Sequence, residues 1–173
     1  FEEPETSQHS DNQRMLITAF KKISEDRNKQ VILTTHSGDI LMQLDFENII
    51  MLSGDKKKEI TSIEPDQLCY KSLNEIDYIA FDNPTSAYHD ELYSHLESKN
   101  LINGYLNTIR QKNYIEKNKD TGEPRPVKKI GLSKYIRHQI HHPDNEYNEL
   151  YTNQELRESI DLMRKYISEE KSN

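Results

Sequence analysis

Apolar positions in this chain are sparse and come in short clusters. Between residues 11 and 26, Met15, Leu16, Ala19, Phe20 and Ile23 recur at helical spacing with Lys and Asp on the opposite side, which predicts an amphipathic helix. The β-branched run from Val31 to Thr35 predicts a short buried strand, and GDILMQL after it a second helical piece. Asn48 to Leu52 and Glu59 to Ile63 predict two strands joined by the turn SGDK. This alternation is the tail end of an α/β sheet.

After Pro65 the period changes to that of helices. Ser86 to Leu96 and Leu101 to Ile109 are predicted helices, and a basic linker follows them. Leu132 to His142 carries Leu132, Tyr135, Ile136 and Ile140 on one stripe and is closed by Pro143. In the last helix Thr152 and Glu155 form a capping box, and Leu156, Ile160, Met163 and Ile167 step along one face. The expected fold class is therefore α/β followed by an all-helical subdomain. The expected boundary lies near residues 64 to 76, giving domains of 1–66 and 67–173.

Composition narrows the function classes. Of 173 residues 33% are hydrophobic and 31% charged, with no Trp, so a thin core and a wide polar or partner-facing surface are expected. Nothing in the sequence is long and apolar enough for a spanning helix, and no secretory leader is visible, so a cytoplasmic setting is expected. The lone Cys69 excludes an internal disulfide framework and a Cys-rich zinc site. The net charge of -7 argues against a uniform nucleic-acid coat, but charge is uneven. From Arg110 to Arg137, nine cations face three acids, a local +6 that leaves -13 on the rest. Such a stripe, with Lys128, Lys129 and Lys134 in it, can hold a phosphate backbone or can be a solvated loop.

FEEPETSQHS is the most informative stretch. An apolar strand end followed by two carboxylates suits nucleotide hydrolysis: one acid helps hold Mg²⁺ and its water shell, the next orients the attacking water. About one helix and one strand later comes THS, with His36 at the carboxyl end of a buried strand, where ligands of open α/β sheets collect. A neutral imidazole there can hydrogen-bond a γ-phosphate oxygen or the nucleophilic water.

FEEPETSQH followed by VILTTHSGDIL resembles the second half of an ABC-type ATPase domain, of the branch that includes RecF, SMC and Rad50 relatives and the overcoming-lysogenization proteins. The resemblance implies that the acidic pair closes the Walker B strand. Glu2 is then the Mg²⁺-side acid, Glu3 the catalytic glutamate, Thr6, Ser7, Gln8, His9 and Ser10 the D-loop, and His36 the γ-phosphate sensor. Many relatives carry Asp where this chain has Glu2. The likeness covers residues 1 to about 63, the carboxyl half of such a head, and these residues contain no GxxxxGK[ST] loop and no LSGGQ-like signature. ATP and Mg²⁺ are the implied cofactors. An N-terminal half, on this or another chain, and a head-to-head dimer are the implied partners, and the chain, starting at Phe1 inside a motif, is expected to be a piece of something longer.

KYIRHQIHHPDN packs Arg137, His138, His141 and His142 together and leaves three readings open. A zinc site has usable spacing but lacks further ligands. A cationic helix terminus offsets the helix dipole. Third, Arg137-x-x-x-x-His142, with polar His138 after the Arg, is similar to the HEPN ribonuclease motif. That resemblance implies metal-independent RNA cleavage at a dimer interface, His142 moving the proton of a 2′-hydroxyl and Arg137 steadying the phosphorane. Lys128, Lys129, Lys134 and His138 are then the RNA-binding candidates. Tyr78, Tyr88, Tyr93 and Tyr105 read as core or interface rims, and His89 and His95 as exposed. The ATPase branch with a helical extension resembles antiphage defence ATPases of the Septu, PARIS, retron and anticodon-nuclease systems, which implies a nuclease partner and nucleic acid nearby. A catalytically inert scaffold is the remaining alternative.

Overall fold

The computed structural model describes residues 1–26, 28–54, 57–62 and 72–171. Cys69, Pro65 and most of the expected domain boundary lie outside the described residues. The chain divides into two units, Phe1–Asn83 and Pro84–Asn173.

The first unit opens with a parallel pairing across a helix. Phe1 and Thr34 bind through Thr34 N–H to the Phe1 carbonyl at 3.0 Å, and Glu3 N–H reaches the Thr34 carbonyl at 3.0 Å. Glu2 and Thr34 form the parallel bridge, and the connection between them is α1, Ser10–Ser24. The expected strand 31–35 is thus realised only as this short bridge. Its register is clear all the same: Val31 and Leu33 turn inward onto a cluster of Ile17, Phe20 and Ile40, while Ile32 stays 68% exposed. On α1 the buried positions are Ile17 and Phe20, and Met15 and Ile23 face outward, so the stripe is rotated from the expected one. Fully burying an Ile or Phe side chain stabilises a fold by about 1.5–3 kcal/mol.

Next come α2 (Gly38–Met42), a 3₁₀ turn at Phe46–Asn48, and the antiparallel pair β1 (Ile50–Ser53) and β2 (Glu59–Ser62) in the expected order. α3, Leu73–Phe81, then returns to the same unit. Its Ile76 is fully buried against Leu41 and Ile49, which is why the division falls after Asn83 and not at the expected 66/67.

The second unit is not all-helical, contrary to expectation. It contains α4 (Ser86–Ser98), α5 (Ile102–Thr108), α6 (Leu132–His141) and α7 (Asn153–Lys171). Between α5 and α6 the basic linker forms an antiparallel ladder, β3 (Gln111–Tyr114) with β4 (Lys128–Gly131), Gln111 opposite Gly131 and Tyr114 opposite Lys128. Leu156, Ile160, Met163 and Ile167 of α7 are all buried, as expected, and α7 packs against α4 and α6, whose Leu92, Leu96, Leu132 and Ile136 are likewise fully buried. The capping box closes as expected: Thr152 Oγ1 accepts from Glu155 N–H at 3.1 Å and Glu155 Oε2 from Thr152 N–H at 3.0 Å. Tyr78, Tyr88, Tyr93 and Tyr105 are core residues. Among the described residues no helix is long and apolar enough to cross a membrane.

Candidate functional site

In the first unit the acidic turn and the THS segment meet because their backbones pair. The turn after the bridge is tight: Thr6 N–H and Thr6 Oγ1 both bond the Glu3 carbonyl, at 3.0 and 2.8 Å, around Pro4. Glu3 sits in the left-handed region at φ 38°, an uncommon conformation for a residue with a β-carbon. That bend turns its side chain toward the end of the neighbouring segment, where Glu3 Oε1 lies 3.5 Å from His36 Nε2. Both side chains remain accessible, 49% for Glu3 and 81% for His36. The imidazole also sits 6.4 Å, centroid to centroid, from the Phe81 ring.

Glu2 is placed on the bridge itself, and its carboxylate engages no partner among the described residues. An exposed carboxylate of this kind suits a hard, oxygen-liganded cation such as Mg²⁺. Thr6 and Ser7 lie in the turn, Ser7 at φ 65°, His9 is the residue before α1, and Ser10 begins the helix. Gln8 N–H bonds the Glu5 carbonyl at 2.8 Å.

Glu5 escaped the sequence reading. It is 9% exposed, and its Oε1 accepts from the Thr35 hydroxyl at 2.5 Å and from His36 N–H at 3.1 Å. Only the third acid of EEPE in the sequence hinted at it.

In the second unit Arg137, His138, His141 and His142, with Lys134 and Tyr93, line one open hollow of about 500 Å³. Arg137 lies within it but is occupied. Its Nη1 bonds Asp90 at 2.9 Å, its Nη2 meets Glu97 at 3.1 Å, and its guanidinium stacks 4.5 Å over the Tyr93 ring. Asp90 Oδ1 also holds His141 Nε2 at 2.7 Å. His142 caps α6 and is exposed. His138 stacks on Tyr114 at 4.8 Å; burial first, then nearby Lys134, His142 and Lys128, push its imidazole down to about 4. Among the described residues no cluster of three or more His, Cys, Asp or Glu is arranged to hold a metal.

The basic stripe is largely neutralised inside the unit. Arg110 pairs with Glu158 and Glu155, Lys112 with Glu155, and Lys117 with Asp144. Arg125 and Lys128 share Glu116, the latter at 2.6 Å, while Lys129 and Lys134 are exposed and make no ion pair among the described residues. Lys128 is therefore an occupied cation, not a free phosphate ligand. His89, expected to be exposed, is fully buried on α4, where its Nε2 meets Ser159 Oγ at 3.0 Å.

Residues 1–41 match the family described as AAA ATPase domain, and this match supports an AAA-type, nucleotide-binding ATPase. The matched stretch contains Glu2, Glu3, Glu5, α1 and His36. No curated protein and no solved structure is significantly similar to the chain.

Proposed function

We propose that this chain is the carboxyl portion of an ABC-type ATPase head that hydrolyses ATP with Glu3 and His36, and that turnover gates a nuclease effector in antiphage defence. One observation carries the catalytic part: within the stretch that matches an ATPase domain, the carboxylate just after the parallel bridge and an imidazole from the neighbouring segment stand 3.5 Å apart. Glu3 orients and deprotonates the attacking water, and His36 hydrogen-bonds the terminal phosphoryl oxygens as charge builds on them. Glu2 would hold Mg²⁺, which would supply positive charge to offset that of the phosphates. The phosphate-cradling loop comes from a preceding segment, on this or another chain, and Thr6 to Ser10 face a second head in a dimer. The test is Glu3→Gln in the full protein. ATP turnover should fall about 100-fold or more while nucleotide is still bound. Unchanged turnover would refute the assignment.

A second reading concerns the other unit. Arg137 and His142 line the same hollow, which favours a HEPN-type ribonuclease site there. The grip of Asp90 and Glu97 on Arg137 favours the inert scaffold instead. Arg137→Ala and His142→Ala separate the two: a ribonuclease loses RNA cleavage with either, while a scaffold keeps whatever cleavage its partner supplies.

A further inference from the structure

We infer that Glu5 is the positioning residue for His36, holding the backbone on which the imidazole is carried. The inference rests on the ATPase reading of the same site. Packing does not position the His36 side chain: it is 81% exposed, and its ring neighbours are the Glu3 carboxylate and the Phe81 ring. Its place is inherited from its main chain. That main chain is fixed from the acidic loop by one carboxylate oxygen, Glu5 Oε1, which takes both the His36 N–H at 3.1 Å and the hydroxyl of Thr35 at 2.5 Å. Hydrogen bonds to an ionised acceptor are the strong ones.

The link belongs to a closed ring. Glu5 Oε1 accepts from Thr35 Oγ1, and that oxygen accepts from Ser37 N–H at 3.0 Å. The Ser37 hydroxyl donates to Gln13 Oε1 at 2.6 Å, and Gln13 Nε2 donates to the Gln8 carbonyl at 3.0 Å. Gln8 N–H returns to the Glu5 carbonyl at 2.8 Å. The ring ties the loop after the acidic pair, the start of α1 and the THS segment into one piece, so Glu3 and His36 are carried on a common frame. Glu5 is buried at 9% exposure, yet its second oxygen, Oε2, has no hydrogen-bond partner among the described residues. A half-satisfied buried carboxylate is costly for stability alone, and such costs gather where geometry serves a site.

The test measures kcat and KM for ATP in the full protein. Glu5→Ala is expected to lower kcat about 10- to 100-fold, the equivalent of one or two charged hydrogen bonds, with KM within about threefold of the parent. Glu5→Gln keeps an oxygen that accepts both bonds and should restore most of the turnover. Thr35→Ser should be near parental and Thr35→Val impaired. Combining Glu5→Ala with Thr35→Val should cost little more than the worse single change, because both cut one link. If Glu5→Ala does not fold, the Thr35 pair decides alone. Parental kcat in Glu5→Ala and Thr35→Val, or a raised KM and lowered melting temperature with kcat intact, would overturn the inference. Glu3→Gln, run alongside, keeps the two failures apart: its loss of turnover leaves the ATPase reading standing even where the Glu5 result is negative.

Discussion

Acid should destabilise the second unit through His89, and the size of the effect follows from where the side chain sits. The imidazole is fully buried on α4, its Nε2 bonded to Ser159 Oγ at 3.0 Å. Ser159 continues through Ser133 at 2.5 Å to the Tyr105 hydroxyl at 2.7 Å, so a neutral ring is accommodated by a chain of neutral groups. Nδ1 is buried with no acceptor, and a second ring proton would have none to meet. Burial is the main reason the pKa drops from 6.5 to about 3; Asp90 pulls it upward and Arg137 downward.

In the unfolded chain the same ring titrates at its ordinary value. A histidine depressed by folding keeps its full stability above the unfolded pKa and loses it as pH falls toward the folded one. At pH 5 the unfolded imidazole is almost wholly protonated and the folded one neutral, so the unit loses about 2 kcal/mol relative to pH 8. The measurement is urea denaturation of the chain at pH 8 and pH 5, followed by tyrosine fluorescence, for the parent and for His89→Gln. The parent's advantage over the variant should shrink by about 2 kcal/mol at the lower pH. His138, also depressed, acts alike in both proteins and cancels. Equal differences at the two pH values would refute the argument, as would a His89 ring that titrates near 6.5 by proton NMR.

Thr152→Ala removes the acceptor of Glu155 N–H and should cost about 1 kcal/mol in denaturant melts, whereas Thr152→Ser should cost little. Gly54 lies at φ 87°, and a β-carbon there would meet the Lys57 carbonyl oxygen at 2.2 Å, so Gly54→Ala should weaken the β1–β2 pairing by more than about 1 kcal/mol, visible as lost cross-strand NOEs. Asp90 serves both Arg137 and His141, and these groups are partly solvated, so Asp90→Asn should cost only about 1 kcal/mol of stability. If the hollow is a phosphodiester site, the same change should tighten single-stranded RNA by about one salt-dependent contact in fluorescence anisotropy; no change in affinity would count against the ribonuclease reading.

Elements defined within one or two turns of chain could be read from the residues. α7 is the clearest: Thr152 and Glu155 mark its start and four apolar residues mark its face, and both signals act between neighbours three or four positions apart. The meeting of Glu3 with His36 was legible as well, from a motif whose two parts are joined by one helix and one parallel pairing. β3 could not be read, because Gln111–Tyr114 is polar and is held by a ladder to residues 128–131. Nor could the fate of the basic stripe, since Glu155, Glu158, Asp144, Asp90 and Glu97, the acids that neutralise much of it, all lie outside its span.

Glu5 and His89 make the same point from inside the fold. Each was an ordinary polar residue until a partner 30 or 70 positions away closed over it. Backbone sterics and side-chain period act over a few residues and leave their mark in the order of amino acids. Burial, desolvation and charge pairing depend on which distant segments pack together, and that is settled only when the chain has folded.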